Sequence, residues 1–272
     1  MKRVINQRNQ RGFTLVEMSV VLVVAGLLLG AVVKGQELVD TAKSVKLLND
    51  LKNTEMLIQK YATIKGRMPG DCDSDGVIDA AVDLVTRTDI DNPIRRSLYD
   101  YTTTRATYAV AAAIASATEG CAQISGTAVP GDGSTLFAEN TWLNDLKLAG
   151  LVSDVVPNRV FAKTVNEDFM FVGKVTDTDP TSSSTTADYN AIVVHNVPQW
   201  MARYVATAIN GTDAVSNRHR VRSLDLATTD GTYMATWDVL TAAGGGDAVA
   251  ANAHRNSMVS IVYFFDRIPA TN

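Results

Sequence analysis

Asp71, Asp73 and Asp75 occupy alternate positions in "DCDSDGVIDAAVD", with Gly76 next and Ile78 and Asp79 after it. Alternating carboxylates ahead of a glycine let the backbone curl until several oxygens converge on one hard cation, and these residues match positions 1, 3, 5, 6, 8 and 9 of an EF-hand-type calcium loop. The match is incomplete, because the place of the bidentate glutamate is taken by Val82, with Asp83 one residue late. Ca2+ held by Asp71, Asp73, Asp75 and Asp79 is thus the one cofactor these residues suggest. The alternative is a solvated acidic turn in which aspartates bond to their own backbone. Two cysteines, Cys72 and Cys121, lie in no C-x-x-C arrangement and beside no histidine, so redox or nucleophilic chemistry has little support. One structural disulfide closing a loop of about 50 residues would be worth roughly 4 kcal/mol in the chain-entropy model.

The remaining titratable residues do not form a catalytic set. His195, His219 and His254 are scattered at no metal-ligand spacing, and no serine lies in a G-x-S-x-G elbow. The acids in "EDFMF" and "DYNAIVVHN" are read as solvent-facing charge rather than an acid and base pair. Arg218, His219, Arg220 and Arg222 form one local basic patch. Without interleaved aromatics it reads as a solvated face or a subunit contact rather than a nucleic-acid site. An enzyme is not expected.

Glu17 raises a different question. It is the only ionisable side chain in the 21 residues from Phe13 to Val33, a stretch that as a helix would span roughly 30 Å of hydrocarbon. A carboxylate there costs a few kcal/mol and is read first as functional, although a position near the helix start would also let it reach the headgroups. Lys2, Arg3, Arg8 and Arg11 precede the apolar stretch with no acid among them, so residues 1–12 stay in the cytoplasm and the rest crosses the membrane. The apolar stretch is followed by Lys34-Gly35-Gln36-Glu37 and not by a small-residue cleavage site, so it is expected to be retained.

The run "RGFTLVE" before an unbroken apolar helix resembles the leader and cleavage site of type IV pilins and of the pilin-like subunits of type II secretion systems. The resemblance implies that a membrane peptidase cuts after Gly12 and methylates the new amino terminus on Phe13. It also implies that Glu17 pairs with the N-terminal amine of a neighbouring subunit during assembly, which would supply the opposite charge that a buried carboxylate needs. The implied partners are prepilin peptidase, other pilin-like subunits and the inner membrane.

Composition agrees with export. Without residues 1–12 the chain keeps 21 basic residues against 29 acidic ones, a formal charge of −8, which argues against a general nucleic-acid or anionic-membrane binder. The helix should continue past the membrane, since Gln36 to Lys65 contains no proline or glycine and sets Leu47, Leu51, Ile58 and Ala62 on one face. Gly66-Arg67-Met68-Pro69-Gly70 supplies its stop. Residues 93–119 and "ENTWLNDLKLAGLV" read as helices, the second amphipathic with Thr141 as a cap. Strands are expected at "RVFAKTV", "FMFVGKV", "NAIVVHNV" and "SMVSIVYFF".

The expected architecture is α+β: a long N-terminal helix packed against an antiparallel sheet. Residues 1–12 are a cytoplasmic leader, 13–33 the transmembrane half of the helix, 34–65 its amphipathic half and 66–272 an extracytoplasmic domain. The function read from this is a structural subunit of a type IV pilus or type II secretion pseudopilus, single-pass in the inner membrane before assembly into a periplasmic or surface filament. Its large, loop-rich globular part points to a minor component. The alternative is a membrane-tethered binding module recognising calcium, DNA or a secreted substrate. Calcium-dependent melting or DNA retention would discriminate the two.

Overall fold

The computed structural model describes residues 15–71, 74–80, 82, 141–153, 155–178, 186–212, 217–224, 233, 237 and 257–269. The expected helix at 93–119, the leader, Phe13 and both cysteines lie outside them. The chain divides into two compact units, residues 1–42 and 43–272, described here in turn.

In the first unit the described residues belong to α1, which runs Leu15–Lys65. Every residue from 15 to 34 is exposed, and an 18-residue window of the helix has a mean hydropathy of 2.5. By length and composition this helix can cross a membrane. Its backbone groups bond internally, as a lipid-facing segment requires, and Ser19 Oγ donates to the Val16 carbonyl at 2.8 Å rather than needing water.

In the second unit α1 changes character. Ser44, Leu47, Leu51, Thr54, Ile58 and Tyr61 are buried, an alternation of three- and four-residue steps that keeps one stripe against the domain. Ala62, expected on that face, is only half-buried. The helix ends where the glycine predicted it would: Gly66 takes φ +77°, and its amide closes on the Ala62 carbonyl at 2.8 Å.

The sheet contains β1 (Met170–Thr178), β2 (Thr186–Pro198), β3 (Val221–Leu224) and β4 (Met258–Phe264) in the order β1-β2-β4-β3, all antiparallel. Three of the four predicted strands are there, so the α+β architecture holds. Paired residues share a face. Met170, Val194, Ile261 and Ser223 therefore lie on one side, and Phe171, Val193, Val262 and Arg222 on the other. All eight are buried. The Met170 side is met by α1, whose Thr54 hydroxyl donates to Met170 Sδ at 3.3 Å.

The expected strand "RVFAKTV" is instead helix α3 (Asn158–Ala162), which is followed by a single bridge between Lys163 and Phe169. Pro157 decides this locally. Its carbonyl accepts from Val160 and Phe161, starting a helical turn, and the Thr164 amide then bonds back to the Asp168 carbonyl at 2.7 Å, reversing the chain before β1. The helix α2 (Thr141–Leu148) forms as expected, but Thr141 is its first residue and residues 141–147 are all buried, Asn144, Asp145 and Lys147 included. It is a core helix and not a surface amphipathic one. Two elements went unforeseen, β3 and helix α4 (Gln199–Asn210), which lays Met201, Ala202, Val205 and Ala206 over the sheet.

Candidate functional site

The acidic loop after α1 is stitched to three elements. Asp145 of α2, 2% exposed, accepts from the Gly70 amide at 2.9 Å and pairs with Arg67 at 3.1 Å. The Arg67 guanidinium also donates to the Asp71 carbonyl at 2.6 Å and lies 5.7 Å from the Tyr61 ring centroid. Burial pushes the Tyr61 hydroxyl pKa well above its ordinary value, and the Asp145 charge adds to the rise. Asn190 of β2 receives the next stretch, its Oδ1 accepting from the Ile78 amide and its Nδ2 donating to the Gly76 carbonyl, both at 2.8 Å. A side chain that presents one acceptor and one donor in this way acts as a substitute strand partner.

Within the loop, Asp71 Oδ2 accepts from the Gly76 amide at 3.1 Å and Asp75 Oδ1 from the Val77 amide at 2.7 Å. These are the local aspartate bonds of a self-supporting turn. Lys174 of β1, paired with Asp188 at 3.0 Å, lies in the electrostatic field of Asp75 and Asp79; the Asp188 bond raises its pKa most, and the two loop aspartates add to it. Asp73 lies outside the described residues. Among the described residues, no group of three histidines, cysteines, aspartates or glutamates is placed to hold a metal.

The basic patch loses Arg222 to the interior. Arg222 is 2% exposed. Its Nη2 donates to the Pro269 carbonyl at 2.7 Å, and its guanidinium stacks 4.9 Å from the Tyr233 ring centroid and 5.2 Å from that of Phe264. Arg222 belongs to the buried strand β3 and pins the C-terminal segment, whereas Arg218, His219 and Arg220 precede the strand. Arg218 remains exposed, and Arg220 is half-buried with Nη1 donating to the Phe265 carbonyl at 3.3 Å. His195 is also internal, its Nδ1 2.7 Å from Ser260 Oγ. His254 lies outside the described residues.

Glu17 stands in the first turn of α1, on an exposed helix whose neighbours Leu15, Val16, Met18, Val20 and Val21 are all exposed apolar side chains. An acid near a helix N-terminus is favoured by the helix dipole. Residues 7–33 match the prokaryotic N-terminal methylation motif. This motif is the prepilin-type cleavage and methylation signature of type IV pilins and pseudopilins. It spans Gly12, Phe13 and Glu17 and ends at Val33, where the apolar run of α1 also ends. Neither curated proteins nor solved structures yielded a match to the chain. The methylation motif therefore speaks for the N-terminal segment, and the globular residues have to be read from their own geometry.

Proposed function

We propose that the chain is a structural, pilin-like subunit, and a minor component of a type IV pilus or type II secretion pseudopilus. The observation that carries this is the methylation motif at 7–33, continuous with a helix whose later residues 44–61 form the buried stripe of the domain. In this reading prepilin peptidase cuts after Gly12 and methylates Phe13. Glu17 then pairs with the amine of a neighbouring subunit's Phe13, which favours a single axial register between packed helices, since a mismatched register leaves a carboxylate in apolar surroundings. The domain is carried outside the cytoplasmic face, as the basic leader directs.

Mass spectrometry of the mature N-terminus, from cells with and without a prepilin peptidase, tests the processing. A chain beginning at methylated Phe13 only when the peptidase is present is the expected result. Retention of residues 1–12, or a cut beyond Val33, rejects it. Glu17→Val should insert normally yet lose incorporation into filaments, and unchanged incorporation would falsify the charge-pairing account. We keep calcium as a proposal for Asp71, Asp73, Asp75 and Asp79. A rise in melting temperature on adding calcium that Asp75→Asn abolishes supports it, and a melting temperature insensitive to chelator removes it.

A further inference from the structure

We propose that a groove between α1 and α4 receives the Asn166-Glu167 turn of a second copy of this chain. The inference rests on the filament reading above. The groove measures about 410 Å³ and is lined by Leu48, Asn49, Lys52, Ala208, Ile209 and Arg220, all within the second unit. Its wall is apolar on the Leu48, Ala208 and Ile209 side and carries two cations. Arg220 has no carboxylate within ion-pair distance among the described residues, and its one described bond, to the Phe265 carbonyl, leaves most of its five donors free. Lys52 is 47% exposed while bonded to Glu55 and the Tyr263 hydroxyl. Apolar walls with a part-covered guanidinium and ammonium fit a carboxylate on a short aliphatic stem.

The occupant follows from charge and placement. The chain without its leader is acidic, with 29 acids against 21 bases, so a cationic groove on it is complementary to another copy of the same chain. Among its acids, Glu167 is presented outward: its side chain is 85% exposed, its backbone takes φ 64° at the tip of the turn before β1, and its Lys163 partner is 4.0 Å away. The turn and the groove lie at opposite ends of α4. Asn166 touches Met201 in the first turn of α4, whereas Ala208 and Ile209 come from its last. They also flank opposite edges of the sheet, the turn leading into β1 and Arg220 into β3. A contact between two different patches at opposite ends is heterologous, so it joins two neighbouring copies head to tail and not as a closed two-fold dimer.

The test uses the full chain in cells that assemble filaments. Arg220→Glu and Glu167→Arg should each lower incorporation roughly tenfold, the order expected when a like charge replaces an opposite one in a part-buried contact. The double variant Arg220→Glu/Glu167→Arg should restore it. Because Arg220→Glu can also disturb the fold, a second measurement oxidises two differently tagged copies, one carrying Glu167→Cys and the other Ala208→Cys, with each single variant as a control for the two native cysteines. A dimer bearing both tags only when both variants are present is expected. No such dimer, no rescue by the double variant, or capture of a different protein at position 208 overturns the contact while leaving the filament reading intact, provided the wild-type chain is in filaments. A wild-type chain absent from filaments overturns both.

Discussion

Asp145 holds together residues that are far apart in the chain. Removing its carboxylate leaves the Gly70 amide without its acceptor and the largely buried Arg67 guanidinium without this anionic partner, with backbone carbonyls still accepting from it, and breaking a buried ion pair from one side costs about 3–5 kcal/mol. Asp145→Ala should therefore lower the unfolding free energy of the detergent-solubilised full chain by that order. Asp145→Asn should cost less, because it keeps an oxygen for Gly70. A loss below about 1 kcal/mol for the alanine variant would show that the hub is not needed. Asp188 makes a milder, pH-dependent contribution. Burial alone would raise its pKa, but the bonds from Thr176 at 2.7 Å and Lys174 at 3.0 Å outweigh it and the net shift is downward. A carboxyl depressed in the folded state stabilises above its unfolded value of about 3.9, and that contribution is lost as pH falls through the folded value. The pair is about one-third exposed, so Asp188→Asn should cost no more than about 1 kcal/mol near neutrality. The difference from wild type should vanish well below about pH 4. A gap that persists there would mean that packing, and not charge, is responsible.

At the scale of elements, both edge strands of the sheet are covered at described positions. Along β1 the Lys174 amide donates to the Ala80 carbonyl at 2.6 Å and its carbonyl accepts from Val82 at 3.0 Å. Along β3 the side chain of Asn210 takes both backbone groups of Val221, at 3.1 and 2.8 Å, and Leu224 bridges to Tyr233. A covered edge position cannot pair with a further strand. The cover over β1 depends on Gly173: a Cβ there would stand 2.1 Å from the Ala80 carbonyl oxygen and 2.7 Å from Val82 Cγ1. Backbone cannot yield that much, so Gly173→Ala should displace residues 80–82. Hydrogen exchange is expected to speed up at the Lys174 amide while the β2 and β4 amides stay protected, and uniform protection in the variant would refute this account.

For the whole molecule, the N-terminal 33 residues and the domain have separate physical tasks. Gly12→Ala should abolish removal of the leader without lowering domain stability. Loss of the mature band on a gel together with an unchanged melting temperature of the detergent extract is the expected pair of results. A lowered melting temperature would tie the leader to folding.

The processing motif and the membrane-length helix were legible in the chain itself because both are one-dimensional: a basic leader, Gly12-Phe13, Glu17 and an apolar run need no tertiary partner to be recognised. The strands at 170–178, 186–198 and 258–264 were legible for a related reason, since runs such as "AIVV" and "SIVYFF" carry their β preference locally. The stripe on α1 was read only in part, as Ser44 and Thr54 are polar residues buried because the small side chain fits. "RVFAKTV" was misread because Pro157 outweighed its strand-like composition, and β3 because Arg222, with Arg220 just before it, hid a buried four-residue strand. Folding alone decided where the charges went. Arg222 became internal through two aromatic rings and one carbonyl. Asp145 became the hub by meeting residues up to 84 positions away, as at Tyr61, and the groove exists only because residues 48–52, 208–209 and 220 converge. Spacing along the chain carries propensity and periodicity, but desolvation and pairing depend on which distant groups the packed core brings within a few ångströms.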